Sequence, residues 1–417
     1  MKVQDKTNRK DLDMKRKLLL ITVLTLVSMI LTSCWDAVEL KDRLILSGFA
    51  MDRGNAKGVY EFSFQGVVSN EVSGSRKIGS TPSFVFSDQG RTLQEVVSKM
   101  SQKIPRRSSG SHAEVVIISE DLARDVGIGR FIDLIERDPE TRITMQILIA
   151  RGSKAKDVLA ITSPVSPITA NNIAEKVRFA SKQYSHNFSS EVDETIRGMI
   201  VPGGGPTISG VVVKGDKSAG TERKNTESSY VSAYTKLDGM AMFKGDKLVG
   251  WMEGDEPLGL AIIKNRSMKS MVNLSCHIDP AEVVGIEAYF YKSSIKASVI
   301  DGVPHFHIDV KQEGTINEVT CPLKLDEGEV IEIYEKTWSE KTKEIVMSAV
   351  TAAQKAGTDV LGFGYVLEKN RSPEYKQWEE SDDWSEKFSQ SEVEVDVQSV
   401  IMNTLTRTNP YSSGGED

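Results

Sequence analysis

The sequence lacks the short motifs that mark the commonest catalytic sites. It contains neither a Gly-x-Ser-x-Gly nucleophile motif nor a His-Glu-x-x-His zinc motif. Its 417 residues include five histidines and three cysteines, and no two cysteines have Cys-x-x-Cys spacing. We therefore predict that the protein is not an enzyme, and we expect no catalytic residue, no metal and no cofactor.

Two glycine-containing segments resemble nucleotide-binding loops but lack a decisive residue. Gly210-Val-Val-Val-Lys-Gly215 is followed by Asp216, where a phosphate-binding loop requires lysine at the start of a helix. Gly127-Ile-Gly129 lacks the third glycine of a dinucleotide-binding loop. Neither segment therefore predicts a nucleotide site.

Positive charge is scarce as well. Lys and Arg number 52 against 59 Asp and Glu, for a net charge of −7. Seven of the basic residues lie in the first 33 positions, so the rest of the chain is more acidic still. An acidic body argues against nucleic-acid binding and against broad electrostatic adhesion to anionic lipid.

The sequence has one long apolar run, at residues 18–31, directly after a basic segment at 15–17. Its length is typical of a secretory signal and falls short of the roughly 20 residues of a membrane span. The run ends in Leu31-Thr-Ser-Cys34, which has the form of a bacterial lipobox. We predict a lipoprotein signal peptide over 1–33 and a mature chain that begins at Cys34 with a thioether-linked diacylglycerol.

Two alternatives to this lipoprotein prediction are an uncleaved signal anchor and an ordinary cleaved signal with an incidental cysteine. If Cys34 is acylated, the mature chain lies outside the cytoplasm on the outer face of a membrane. Two acyl chains hold a protein on a bilayer, whereas one chain binds only loosely. The lipid would be the anchor, since no later segment approaches the length of a span.

Trp35, Asp36 and Glu39 follow the predicted anchor directly. One aromatic and two acidic side chains at the membrane surface would suit docking onto an integral membrane partner, and Trp also suits the lipid interface. Alternatively, the segment is a tether whose Trp packs on its own domain. We treat Trp35, Asp36 and Glu39 as candidate partner contacts.

The remaining cysteines and the histidines admit structural explanations. Cys276 and Cys321 both lie in strand-like contexts, and either a disulfide or two buried thiols would explain them. His305-Phe-His307 places two rings on one face of a strand, but no carboxylate at standard spacing completes a metal site. We predict a solvated strand face there, and a structural role for His112 at the start of a buried strand.

The pattern of apolar residues predicts an α+β protein of several domains, with mixed sheets covered by helices. The N-terminal domain, 34–200, alternates strands with short helices, and a capping box at Thr92 and Glu95 opens one of them. The polar stretch 162–230 contains a predicted helix at 171–180 and a predicted strand at 208–213, and it is interpreted as a mobile connector. Residues 201–266 are assigned to a linker plus a small β-hairpin domain.

A C-terminal α+β domain is predicted over 267–409, ahead of a disordered tail at 410–417. Its antiparallel strands precede one long helix that begins behind Asp326 and ends at Gly357. Ile333, Ile345, Ala349, Val350 and Ala353 are expected to form the inner face of this helix. The predicted strands are 271–278, 284–291, 294–300, 305–312 and 393–397.

Several motifs in this order resemble the Ger(x)C family of spore-germination lipoproteins, the C subunits of nutrient germinant receptors. The motifs are Cys34-Trp-Asp36-x-x-Glu39-Leu40; the helix from Thr92 followed by His112 and 115–118; Glu120-Asp-Leu-Ala123 to Gly127; Phe243-Lys-Gly-Asp-Lys-Leu-Val-Gly250; Asp359-Val-Leu-Gly-Phe-Gly364; and Trp378, Trp384 and Phe388. The departures are the 214–229 insertion and a terminal strand that ends in Thr404-Leu-Thr-Arg-Thr rather than at a glycine.

The resemblance implies a three-domain mixed α/β body on the outer face of the spore inner membrane. The resemblance also implies that the subunit would assemble with two integral membrane partners, the A and B subunits, one of them transporter-like. The germinant pocket is placed in the transporter-like subunit, so the C subunit would be a scaffold or coupling component. The alternative function is a solute-binding lipoprotein that captures a small nutrient, although the sequence lacks two similar lobes. A cell-wall hydrolase is disfavoured by the absent motifs.

Overall fold

The computed structural model describes residues 14–25, 42–68 and 81–405. The chain divides into two compact units, 1–44 with 105–107 and 45–104 with 108–417. In the first unit, residues 14–25 form a helix, α1, whose side chains are exposed. Within the described ranges, no helix combines the length and the apolar character that crossing a membrane requires.

A nine-stranded sheet dominates the first part of the second unit. Its order is β3-β2-β1-β5-β6-β7-β8-β9, and β4 pairs with β1 outside this order. The strands are β1 (Arg43–Arg53), β2 (Tyr60–Val67), β3 (Ser83–Gly90), β4 (Arg107–Ser109), β5 (Val115–Ser119), β6 (Gln146–Ala150), β7 (Thr207–Gly215), β8 (Ala233–Lys244) and β9 (Lys247–Met252).

The centre of this sheet is parallel and its flanks are antiparallel. Strands β1, β5, β6 and β7 run parallel, whereas β2, β3, β8 and β9 add antiparallel pairs on either side. Every residue of β5 and β6 is buried, as the continuous apolar runs predict for central parallel strands covered on both faces. The predicted mixed sheet covered by helices is confirmed.

Short helices cover this sheet, and their starts follow local signals. Thr92 Oγ1 accepts a hydrogen bond from the Glu95 N–H at 3.1 Å, as the capping box predicts. The Glu95 carboxylate accepts from the Arg91 N–H instead of from Thr92, so the reciprocal bond is displaced by one residue. These helices are α2 (Leu93–Met100), α3 (Glu120–Asp125), α4 (Gly129–Arg137), α5 (Ala155–Ala160), α6 (Thr169–Gln183), α7 (Val192–Met199), α8 (Lys217–Gly220) and α9 (Lys224–Glu227).

The helix predicted at 171–180 and the strand predicted at 208–213 are confirmed as parts of α6 and β7. The interpretation of 162–230 as a mobile connector is wrong, because β7 belongs to the nine-stranded sheet and α7 also lies in the stretch. Polar side chains of this stretch form hydrogen bonds with the backbone of the folded protein. The Asn225 amide, for example, donates to the Ala233 carbonyl at 2.9 Å and accepts from the Ser232 N–H at 2.7 Å. The predicted boundary near residue 200 therefore falls within one sheet, between the neighbouring strands β6 and β7. The division into domains stays a prediction.

A four-stranded sheet forms the C-terminal part, in the order β10 (Ser270–Ser275), β11 (Val283–Ile300), β12 (Val303–Val319) and β13 (Glu392–Asn403). The first three strands are antiparallel, and β13 runs parallel to β12. The runs predicted at 284–291 and 294–300 form one strand, because the pairing with β12 continues without a register shift through Lys292 and Ser293.

One long helix, α11 (Gly328–Ala356), packs on this sheet. It ends at Gly357, whose φ of 64° makes the left-handed cap that the sequence predicts. At its other end the cap is Glu327, with no side-chain hydrogen bond, rather than the expected Asp326. Ile333 is 42% exposed instead of internal, because Val330, Tyr334 and Trp338 supply that part of the inner face.

Four shorter helices complete the C-terminal part: α10 (Glu256–Ile263), α12 (Phe363–Lys369), α13 (Pro373–Glu380) and α14 (Trp384–Ser389). Trp378 and Trp384 lie in two separate helices, α13 and α14. Cys276 and Cys321 are buried and form a disulfide with a Cα–Cα distance of 6.6 Å, which decides between the alternatives left open by the sequence.

Candidate functional site

The predicted lipidation residue Cys34 and the candidate partner contacts Trp35, Asp36 and Glu39 lie outside the described residues. Their roles stay predictions. The structure does place the other motifs of the family pattern, and three of them meet. We call their meeting point the Asp359 junction, formed by residues 203–206, 243–246, 358–364 and Trp384.

Asp359 is the centre of this junction. It lies between the end of α11 and the start of α12, and it is 3% exposed. One carboxylate oxygen accepts from the N–H groups of Gly362 at 2.9 Å and Phe363 at 3.0 Å. The other accepts from the Gly364 N–H at 2.6 Å and from the Trp384 indole N–H at 3.3 Å. Burial raises the pKa of Asp359, and these four donors offset part of that rise.

The Asp-Val-Leu-Gly-Phe-Gly spacing follows from this geometry. The carboxylate must receive consecutive N–H groups, so the chain has to fold tightly around it. At Gly364 an added Cβ would lie 2.7 Å from Tyr375 Oη and 2.9 Å from Trp384 Nε1. Only glycine therefore allows the aromatic side chains to close over the carboxylate.

The same loop binds the β8–β9 hairpin of the larger sheet. Thr358 Oγ1 donates to the Phe243 carbonyl at 2.7 Å, and Lys244 Nζ lies 2.8 Å from Ser385 Oγ. The Asp359 N–H donates to the Gly203 carbonyl at 3.2 Å. The junction thus joins the larger sheet to the end of the long helix.

The turn of this hairpin also contacts the larger sheet's own helices. The Asp246 carbonyl accepts from the Ile128 N–H at 2.8 Å, and its carboxylate accepts from the Gly129 N–H at 3.3 Å. Trp251 Nε1 donates to Glu120 Oε1 at 2.9 Å. The segment that imitates a dinucleotide loop is therefore a docking point for the hairpin.

The chemistry of the junction is that of a structural element. Its buried carboxylate is fully engaged by N–H donors, and its loop carbonyls accept from neighbouring elements. For instance, the Val360 carbonyl accepts from Lys264 Nζ at 2.8 Å. Since these groups have partners within the protein, the arrangement suits holding two sheets together rather than binding or turning over a ligand.

The histidine pair lies on the outer face of the smaller sheet, where β13 supplies carboxylates that sequence spacing did not show. His305 Nδ1 is 3.4 Å from Glu392, and His307 Nε2 is 3.2 Å from Asp309 and 3.3 Å from Asp396. The ligand atoms of His307, Asp309 and Asp396 lie within 4.8 Å of one another, so these residues could hold a metal ion.

This set remains a weak candidate for a metal centre. Asp396 is exposed, and Lys296 already forms an ion pair with Asp309 at 2.9 Å. We therefore keep the prediction of no metal. His112 is exposed rather than part of a buried strand, because β5 begins only at Val115.

Comparison with known proteins identifies the class. Two family models match this chain: "Spore germination protein N-terminal domain" over residues 36–213 and "Spore germination B3/ GerAC like, C-terminal" over 238–405. Spore germination protein KC of Bacillus subtilis (strain 168) is 28% identical over 411 residues, which are 97% of this chain and 100% of that protein. Spore germination protein B3 of the same organism is 23% identical over 397 residues, 92% and 96% of the two chains.

A solved structure shares the fold. The crystal structure of the GerBC protein superposes with a TM-score of 0.52 at 20% identity, over 85% of this chain and 97% of that one. Sequence and fold together therefore define a spore-germination protein. The chain belongs to the Ger(x)C family, the C subunits of germinant receptors.

Proposed function

We propose that this protein is the lipid-anchored, extracytoplasmic C subunit of a spore nutrient germinant receptor, where it acts as a non-enzymatic scaffold or coupling component. It is held on the outer face of the spore inner membrane by the acylated Cys34. Its partners are two integral membrane subunits of the A and B types. Family membership, combined with the lipobox at 31–34, is the observation that supports this proposal.

The Asp359 junction supports the coupling part of the proposal. A subunit that transmits position between partners needs its sheets fixed to each other. The junction fixes the two sheets to each other, because buried hydrogen bonds join the β8–β9 hairpin to the loop after α11. Buried polar networks with every member paired make an element rigid and specify one arrangement.

The anchor is tested with Cys34→Ala in the full-length chain. The variant lacks the thiol that is acylated, so we expect it to move from the membrane fraction to the soluble fraction and to impair nutrient germination. Far-UV circular dichroism of the purified protein should be unchanged. Ser33→Ala is the matched control, because alanine keeps a small residue before the cysteine and should preserve both localisation and germination.

Two results with Cys34→Ala would contradict the proposal. If this variant stays in the membrane fraction like the natural protein, the anchor lies elsewhere. If it is soluble and nutrient germination proceeds at the normal rate, the membrane-held scaffold role is wrong.

A further inference from the structure

An open groove lies between helix α6, the loop before it and the start of strand β8. Its volume is about 560 Å³, within the roughly 300–1,000 Å³ range of small-molecule sites. The residues that matter for the argument are Val165, Asn172, Glu175, Lys176, Phe179 and Tyr234, all of which line it. The groove is separate from the Asp359 junction and shares no residue with it.

The walls of the groove are apolar and exposed. Val165, Phe179 and Tyr234 are 85%, 68% and 50% exposed, although each is a large apolar or aromatic side chain. Single exposed apolar residues are common on protein surfaces, but several around one concavity mark a binding site. The two rings would suit a flat or aromatic ligand body.

Lys176 brings a positive charge into this apolar setting without a matching carboxylate. Its Nζ donates to Thr235, to the carbonyl and to Oγ1, the latter at 2.8 Å. Among the residues that the structure describes, it forms no ion pair. Burial lowers the pKa of Lys176 to about 8, because the ammonium has lost water without gaining an anion. An ammonium has three donors, so one remains for a ligand.

Asn172 supplies a second unused polar group. It lies one helical turn before Lys176, and residues four apart share a helix face. Asn172 is 8% exposed and lines the groove, yet its side-chain amide has no hydrogen-bond partner in the described part of the chain. The amide atoms keep contact with solvent at the groove, so the N–H groups of Asn172 are available to an acceptor that enters it.

We propose that this groove binds a small monocarboxylate with an apolar body. The carboxylate accepts hydrogen bonds from Lys176 Nζ and Asn172 Nδ2, and the body packs on Phe179, Val165 and Tyr234. Glu175, an exposed carboxylate that also lines the groove, disfavours a second negative charge on the ligand. The site is distinct from the proposed membrane role and does not depend on it.

The test is isothermal titration calorimetry of the full-length protein in detergent with 3-phenylpropionate as the probe. Its neutral counterpart, 3-phenylpropanol, has the same body and no charge. We expect saturable binding of one acid per chain, with the alcohol at least about tenfold weaker, because charge-assisted hydrogen bonds are roughly twice as strong as neutral ones. Equal binding of the acid and the alcohol, or no saturable binding of either, would overturn the proposal.

Variants on the same helix locate the binding. Lys176→Met keeps the apolar stem and removes the charge, so we expect an affinity loss of about tenfold or more for the acid and little change for the alcohol. Lys176→Arg keeps the charge and should retain most of the binding, which guards against a folding defect in the first variant. Asn172→Ala should weaken acid binding several-fold.

Lys182→Met is the matched control, because Lys182 is an exposed lysine on the same helix that does not line the groove. Its affinity should equal that of the natural protein. If Lys176→Met binds the acid as tightly as this control does, the assignment of the groove is wrong.

Discussion

The Asp359 junction and the groove beside Lys176 each contain a charged side chain, but the two side chains differ in how many hydrogen-bond partners they have. At the junction, one carboxylate accepts four hydrogen bonds at 2.6–3.3 Å. At the groove, an ammonium donates to a single residue, and the neighbouring amide has no partner within the described chain. A polar cluster whose groups all have partners within the protein stabilises the fold, whereas polar groups without partners can bind a ligand.

Asp359→Ala, the substitution with the largest expected effect, tests whether the junction stabilises the fold. The substitution leaves three backbone N–H groups and the Trp384 indole N–H buried without an acceptor, and each such group costs about 1–3 kcal/mol. We expect the free energy of unfolding to fall by at least about 3 kcal/mol. Urea denaturation followed by tryptophan fluorescence measures it, since Trp384 contacts the site directly.

Two further substitutions calibrate that result. Asp359→Asn keeps one acceptor oxygen and should lie between the natural protein and Asp359→Ala. Asp133→Ala removes an exposed carboxylate that pairs with Arg137 and should leave the denaturation midpoint nearly unchanged. An Asp359→Ala midpoint equal to that of Asp133→Ala would show that the junction does not hold the fold.

Gly205→Ala tests the close approach of backbones at the junction. An added Cβ at residue 205 would overlap the Phe243 carbonyl, so the hairpin would have to shift. We expect a loss of about 1–3 kcal/mol in the free energy of unfolding, the usual cost of overpacking. Gly328→Ala is the matched control, because nothing lies within 4 Å of its added Cβ, and its stability should be equal or slightly higher.

Ligand binding at the groove should depend on pH. The pKa of Lys176 is lowered to about 8 by burial, so the ammonium loses its proton as the pH rises through 8. Binding of 3-phenylpropionate should therefore weaken by about tenfold between pH 7 and pH 10. Glu175 and Tyr234 are the other titratable groups of the lining. In Lys176→Arg the same profile should be flat, and a parallel decline in that variant would assign the effect to another group.

The smallest expected effect concerns stability at the groove. Lys176→Met loses hydrogen bonds to Thr235 but also removes a charge that burial disfavours. These contributions oppose each other, so the free energy of unfolding should change by less than about 1 kcal/mol. The measurement is the same urea titration. A loss as large as that of Asp359→Ala would show that Lys176 is part of the structural framework rather than of a ligand site.

Local features of the fold could be predicted from the sequence. The helix that opens at the Thr92 capping box and the cap at Gly357 follow from residue types that act over a few positions, and both are confirmed. The connector interpretation failed because serine and asparagine are frequent both in linkers and in folded segments where they bond the backbone, as Asn225 does. Ile333 was assigned to the wrong face because the apolar positions of a long helix shift gradually around its axis. Tyr334 and Trp338 also have more apolar surface to bury than Ile333 has.

Long-range pairing was the part that the sequence could not supply. Nothing local shows that β13 lies parallel to β12, so the carboxylates opposite His305 and His307 were not foreseen. The junction motifs were recognised one by one, but the contact of Thr358 with Phe243 spans 115 positions. Lys176 and Thr235 are 59 positions apart. For the same reason, no signal in the sequence pointed to the groove.

The central claim is that this chain works as a membrane-held subunit of a receptor. The most direct measurement is to purify the tagged protein from detergent-solubilised spore membranes and to identify by mass spectrometry what accompanies it. The account predicts two integral membrane proteins of the A and B types, in constant ratio to the chain. Recovery of the chain alone, with those subunits present in the same extract but absent from the purified fraction, would contradict it.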